Sequence, residues 1–190
     1  GPVSVSGRAV IVVDTETTGL DVKRAHQATE VGWLYLGQYG GGCFIPPHSI
    51  EGADPEALRI SRYHERIAGQ PVDLDYSATH ALHIALRGNV LAGSAPGFDA
   101  GFLSRLFRDA GFADDEPWYR HTVDLGVYAA GVLGYDPADA LTLREVCEAL
   151  GVERDEADRH TAFGDAKITA YCLGLLRDIA TSRNGKRAEA

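Results

Sequence analysis

Apolar residues follow two rhythms along this chain. The first is a continuous β-branched run over residues 8–13 (RAVIVV), with no alternating polar position to face water. Such a run fits a strand buried on both faces. It stops at Asp14, where Thr15-Glu16-Thr17-Thr18-Gly19-Leu20-Asp21 reads as turn chemistry. Residues 29–36 (TEVGWLYL) predict a second strand. Gly40-Gly41-Gly42 opens a third around Cys43, Phe44 and Ile45, and Pro46-Pro47 ends it. Short connections between the three predict an antiparallel meander.

From Asp54 the spacing changes to threes and fours. Asp54-Pro55 suits an N-cap followed by a first-turn proline, and Ala57, Leu58, Ile60 and Ile67 carry one helix over residues 54–67. Ala78, Leu82, Ala85 and Leu86 give residues 75–87 a single apolar stripe. Residues 89–95 predict a strand, and residues 99–110 a helix with Phe102, Leu103, Leu106 and Phe107 inward. A last strand is predicted over 118–123, then helices near 125–133 and 141–150. The final helix, over 162–179, has Ile168, Tyr171, Cys172, Leu175 and Leu176 at spacings of three and four. Strands first, then helices alternating with strands, describe an α/β domain. Its sheet is mixed and five-stranded, three antiparallel strands followed by two parallel ones, with helices on its flanks. No repeat or linker divides it. Residues 8–180 are expected to form one domain and 181–190 a polar, flexible tail. Residues 1–7 read as a flexible lead whose Gly1-Pro2 looks like a protease scar.

Composition narrows the class. With 190 residues, 45% of them hydrophobic and 24% charged, the chain has the make-up of a globular domain with a real core. No apolar run approaches the ~20 residues that cross a bilayer, and no signal-peptide layout is visible, so no membrane association is expected. Three widely spaced cysteines, Cys43, Cys147 and Cys172, make neither a disulfide framework nor a zinc knuckle. A reducing, cytoplasmic setting is therefore expected. The 27 acidic against 18 basic residues give a net charge of -9. That balance argues against a duplex binder that relies on phosphate contacts, but not against an enzyme holding divalent cations among carboxylates.

Four acids fit that second description. Asp14 and Glu16 leave a buried strand two residues apart, and on extended backbone such side chains share a face. Converging carboxylates are costly unless cations lie between them. Asp99 follows the 89–95 strand at the start of a helix, Asp165 lies near the start of the last helix, and His160 precedes it by five positions. Four carboxylates and a histidine from three separate segments are the ingredients of a two-metal phosphodiesterase. Hard oxygen ligands select Mg²⁺ or Mn²⁺, and a neutral imidazole suits removal of a proton from water.

Asp14-Thr15-Glu16-Thr17-Thr18-Gly19-Leu20, then Phe98-Asp99, then His160-Thr-Ala-Phe-Gly-Asp165-Ala166 resemble the three motifs of the DEDDh exonucleases, in order. That family includes the proofreading subunit of bacterial replicative polymerase, RNase T and oligoribonuclease. The resemblance spans nearly the whole chain and implies an RNase H-like fold. It also implies removal of nucleoside monophosphates from 3′ ends of single-stranded nucleic acid. By position it makes Asp14, Glu16, Asp99 and Asp165 ligands of two divalent ions, Mg²⁺ or Mn²⁺, and His160 the general base. Thr17, Gly19 and Leu20 would support the terminal nucleotide, and His64 lies in a stretch that in the family runs near the scissile end. Phe98 and Phe163 carry rings able to stack on bases, though their spacing equally fits core packing. Arg59, Arg62 and Arg66, and Arg105 with Arg108, either meet phosphates or are solvated helix faces. The family's middle motif commonly reads His-Asn-x-x-Phe-Asp, whereas this chain has Ser94-Ala95-Pro96-Gly97-Phe98-Asp99. The ligand position is kept and the polar pair is absent, which bears on substrate grip.

The expected function is a metal-dependent 3′–5′ exonuclease on single-stranded ends, DNA ahead of RNA, with an RNA-processing or oligoribonuclease-like enzyme as the alternative. A polymerase or replication partner is the expected associate, and the oligomeric state is open. Two remoter readings remain. A haloacid-dehalogenase-like phosphatase needs an Asp where Glu16 stands, and a silent nucleic-acid-binding module is suggested only by the missing polar pair.

Overall fold

The β-branched run forms the centre of the sheet, as strand β1 (Val10–Thr17). In this computed structural model, which describes residues 7–188 apart from Pro137, β1 pairs antiparallel with β2 (Ala28–Tyr35) and parallel with β4 (Val90–Gly93). β3 (Gly41–Phe44) joins β2 antiparallel, and β5 (Val123–Asp124) joins β4 parallel. The order is β3-β2-β1-β4-β5. This is the mixed sheet that the patterning predicts.

Successive side chains of β1 point to opposite faces. Ile11 and Val13 enter one buried cluster with Leu82, Leu86, Phe102 and Phe107. Val12 enters the other with Leu125, Val146, Ala166 and Leu176. The first is covered by α3 (Ser77–Leu86) and α4 (Pro96–Asp109), the second by α5 (Leu125–Leu133), α6 (Leu143–Leu150) and α7 (Ala162–Ala188). Between β3 and α3 lie two short helices, α1 (Pro55–Ile60) and α2 (Tyr63–Arg66). Gly32 of β2 lets α7 approach closely: a Cβ there would lie 2.4 Å from the Ala162 carbonyl carbon and the Phe163 nitrogen. Among the described residues no helix is long and apolar enough to cross a membrane, and all three cysteines are free.

Several local expectations are corrected. Strand β1 does not stop at Asp14 but runs through Thr17, because β2 supplies ladder partners to the end: Asp14 faces Gly32, Thr15 faces Val31 and Glu16 faces Glu30. The helix expected over 54–67 is broken in two. Asp54 caps the first piece as predicted, accepting from the Glu56 N–H. Arg62, at φ 51°, then takes the left-handed conformation, which no helix continues through. Helix α4 begins at Pro96, so Asp99 lies inside its first turn.

The strand expected over 118–123 shrinks to Val123–Asp124. Its earlier part runs beside the sheet with isolated bonds, such as Tyr119 N–H to Asn89 O at 2.7 Å. Tyr171 points outward, 57% exposed, while Cys172 and Leu176 of the expected stripe are buried alongside Ala166, Ala170 and Leu173. The tail expected to begin at 181 is helical as far as Ala188. Extending a formed helix needs no new nucleus, and Arg183 adds a bond to the Val132 carbonyl. The flexible lead expected at the N-terminus lies, for residues 1–6, outside the described residues.

Candidate active site

The extension of β1 decides where its acids point. Asp14 and Glu16 share the parity of Val12 and so face the α7 layer, whereas Thr15 shares that of Val13 and faces α4. Thr15 Oγ1 donates to Asp99 Oδ1 at 2.8 Å, drawing the α4 carboxylate to the strand from the opposite layer. Asp99 is 5% exposed. The ladder slips between Glu16 and Thr17; such bulges re-aim side chains at the ends of paired strands.

Asp165 arrives on the first turn of α7. That turn is capped twice: Thr161 Oγ1 accepts from the Gly164 N–H at 2.9 Å, and Glu30 Oε2 of β2 accepts from the Ala162 N–H at 3.0 Å. His160 lies just before it, exposed and at φ 54°. One ligand atom each from Glu16, His160 and Asp165 lies within 4.8 Å of the others. The Arg154 guanidinium bonds Asp165 Oδ1.

The electrostatics follow from this crowding. Burial, and then the charges of Asp99, Asp165, Glu16 and Glu30, hold the Asp14 carboxyl well above the usual carboxylate range. Burial pushes Glu16 up to about 8, aided by Asp165 and Glu30 and opposed by Arg66. Asp99 is raised by burial to about 7 despite the bond from Thr15. Asp165 is also raised by burial, with Arg154 and His160 pulling the other way. Carboxylates gathered this way bind protons or cations readily, and an all-oxygen set beside one imidazole fits Mg²⁺ or Mn²⁺.

The remaining candidates fall at different places. Thr17 is buried and its hydroxyl donates to Gly19 O at 2.8 Å, shaping its own loop. Gly19 lies so close to the His26 ring that a Cβ would come 2.4 Å from Cε1. Leu20 stands 80% exposed at the loop's tip, and Phe98 is 36% exposed. Phe163, half-buried, has the Lys167 ammonium 5.5 Å from its ring centre. His64 is exposed and stands edge-on to Tyr63; among the described residues no hydrogen bond, ion pair or ring contact joins it to the four acids.

The arginine clusters take neither expected role uniformly. Arg59 pairs with Glu56 in solvent and Arg108 with Asp115, while Arg105 donates to His26 O. Arg62 and Arg66 bond the loop before α7. Sequence reasoning missed Thr15, Glu30 and Arg154 as neighbours of the site, and read Arg66 only as a phosphate contact or part of a solvated helix face. A charged residue inside an otherwise buried strand was the available signal for Glu30, and nothing local marks Arg154.

Comparison with known proteins bears on the family and the fold. The family model described as "Exonuclease" matches residues 11–173. A search of curated proteins found none that matches. Among solved structures, the zinc-bound E. coli exonuclease I–ssDNA complex superposes with a TM-score of 0.70 at 16% identity, covering 90% of this chain and 40% of that one. The same E. coli enzyme with a dT13 oligonucleotide gives 0.68 at 15%, covering 94% and 43%. Exonuclease I from Methylocaldum szegediense gives 0.68 at 16%, covering 90% and 40%. This chain thus spans about 40% of the length of these enzymes. At such identities the likeness establishes the fold, which is RNase H-like.

Proposed function

The chain belongs to the exonuclease family, and from that premise we propose that it removes nucleoside monophosphates from the 3′ ends of single-stranded DNA with two divalent cations. One observation carries this. Four acids from three distant segments are buried together, where burial opposes the ionisation of each and the charges of Asp99 and Asp165 further oppose that of Asp14 and Glu16. An arrangement so unfavourable to itself makes physical sense as a cation site.

Asp14, Glu16, Asp99 and Asp165 would hold the ions through carboxylate oxygens. When bound, such a pair supplies charge that stabilises both the attacking and the leaving oxygen of an in-line displacement. His160, exposed beside Glu16 and Asp165, takes the proton from the attacking water at a ring nitrogen. Thr15 fixes Asp99 through its hydroxyl. The Thr17–Gly19 loop presents Leu20 as an apolar surface for the terminal nucleotide, and Phe98 offers a ring for stacking. DNA as substrate is supported by the oligonucleotide-bound state of the E. coli exonuclease I structures.

End-labelled DNA and RNA oligomers, single- and double-stranded, test this. Stepwise shortening of single-stranded DNA from the 3′ end, abolished by EDTA and restored by Mg²⁺ or Mn²⁺, is expected. Undiminished cleavage in chelated buffer would sink the metal mechanism, and faster shortening of RNA would reassign the substrate.

A further inference from the structure

The loop that carries His160 is fastened from outside by one short stretch of chain nearly a hundred residues away. Arg62 Nη2 donates to Ala157 O at 2.9 Å and to Arg159 O at 3.1 Å. Arg66 Nη2 donates to His160 O at 2.9 Å and to Glu30 Oε2 at 3.0 Å. That same Glu30 oxygen accepts from the Ala162 N–H. Carbonyls on both sides of the imidazole, and the first amide of the helix that follows, are therefore tied to two guanidinium groups and one carboxylate.

We infer that Arg62, Arg66 and Glu30 form a clamp that positions His160 for its proton transfer. The inference rests on the exonuclease reading above and adds three positioning residues to it. Backbone conformation supports it. Arg62 and His160 are both non-glycine residues in the left-handed region, at φ 51° and φ 54°. Such conformations persist only where surrounding contacts over-determine them, and here the bonds from Arg62 and Arg66 supply those contacts.

Side-chain burial separates a clamp from a phosphate grip. The Arg66 and Glu30 side chains are only 21% and 11% exposed. Their polar atoms are already engaged with each other and with backbone. A cleft lined by Arg59, Arg62, Arg159 and His160 adjoins the clamp, so a substrate contact by Arg62 is the competing role that an experiment must separate.

Removing Arg66 strands the Glu30 carboxylate, so Arg62→Gly is the variant of choice: it deletes the guanidinium and suits the left-handed backbone. Two readouts are paired. In amide hydrogen exchange, residues 157–162 are expected to exchange faster in Arg62→Gly than in the wild type, and unchanged exchange there overturns the clamp whatever the activity. With end-labelled single-stranded DNA and Mg²⁺, kcat is expected to fall about 10²-fold, the cost of a misplaced catalytic group, while KM stays within about twofold. In a His160→Ala background the same substitution should change kcat by less than about twofold, because a group that acts only through His160 has nothing left to act on. A rise in KM with kcat retained, or an equal loss in both backgrounds, assigns Arg62 to substrate contact and overturns the inference. Should the wild type cleave no oligonucleotide, the exonuclease reading fails, and the exchange measurement by itself decides whether the clamp exists.

Discussion

Asp14 is the residue on which opposing demands meet. As a proposed cation ligand it must be ionised, yet burial and the surrounding acids resist its charge. Asp14→Asn should therefore abolish cleavage and raise the melting temperature measured in EDTA at pH 8, where the wild-type carboxylates repel most. Retained turnover would remove Asp14 from the site. The His160 side chain, by contrast, is exposed. His160→Ala should slow cleavage about 10²–10⁴-fold and leave the melting temperature unchanged. A variant with near-normal rate would place the base elsewhere.

Elements bring these residues together, and α7 approaches β2 closely at Gly32. Gly32→Ala puts a methyl group into the backbone of Ala162 and Phe163. Overpacking of this kind costs about 1–3 kcal/mol. Because the displaced turn carries Asp165 and follows His160, melting temperature and kcat should fall together. Helix α6 offers the contrast. Its capping box joins Thr142 and Glu145, and none of the five proposed catalytic side chains lies on it. Thr142→Ala should cost about 1 kcal/mol, or roughly 2–4 °C for a chain of this size, with kcat intact. Loss of activity in Thr142→Ala, or full activity in Gly32→Ala, would contradict this account of how α7 is held.

For the molecule as a whole, the crowded acids turn into a pH dependence. Their folded pKa values lie above the ordinary carboxylate range, reaching about 7 for Asp99 and about 8 for Glu16. The native state therefore binds more protons than the unfolded chain between about pH 4 and pH 8, and stability falls as pH rises through that window. Asp73 runs the opposite way: burial raises its pKa, but hydrogen bonds from Ala78, Thr79 and Ser77 together outweigh that and lower it, so its contribution is lost as pH falls below the carboxylate range. In EDTA the melting temperature should therefore peak near pH 4 and decline towards pH 8. Mn²⁺ or Mg²⁺ should stabilise more at pH 8 than at pH 5, because cations and protons compete for the same oxygens. A flat profile in EDTA, or metal stabilisation that does not grow with pH, would argue against a shared cation site.

Burial patterning and short motifs were enough to determine the mixed sheet, the helices on both of its faces, and the five residues proposed for catalysis. A β-branched run reports a buried strand through composition alone, and the DTETTGL, Phe-Asp and HTAFGDA stretches each keep their spacing within one local segment. What lay beyond such signals was set by partners far along the chain. Strand β1 passes Asp14 because β2 offers it a ladder. Thr15 reaches Asp99 because alternate residues face opposite layers. Glu30, Arg62, Arg66 and Arg154 join the site through hydrogen bonds to residues remote in sequence or beyond a loop. Periodicity records how much of a side chain is buried, not which atom it meets, and that choice is made only when the layers close.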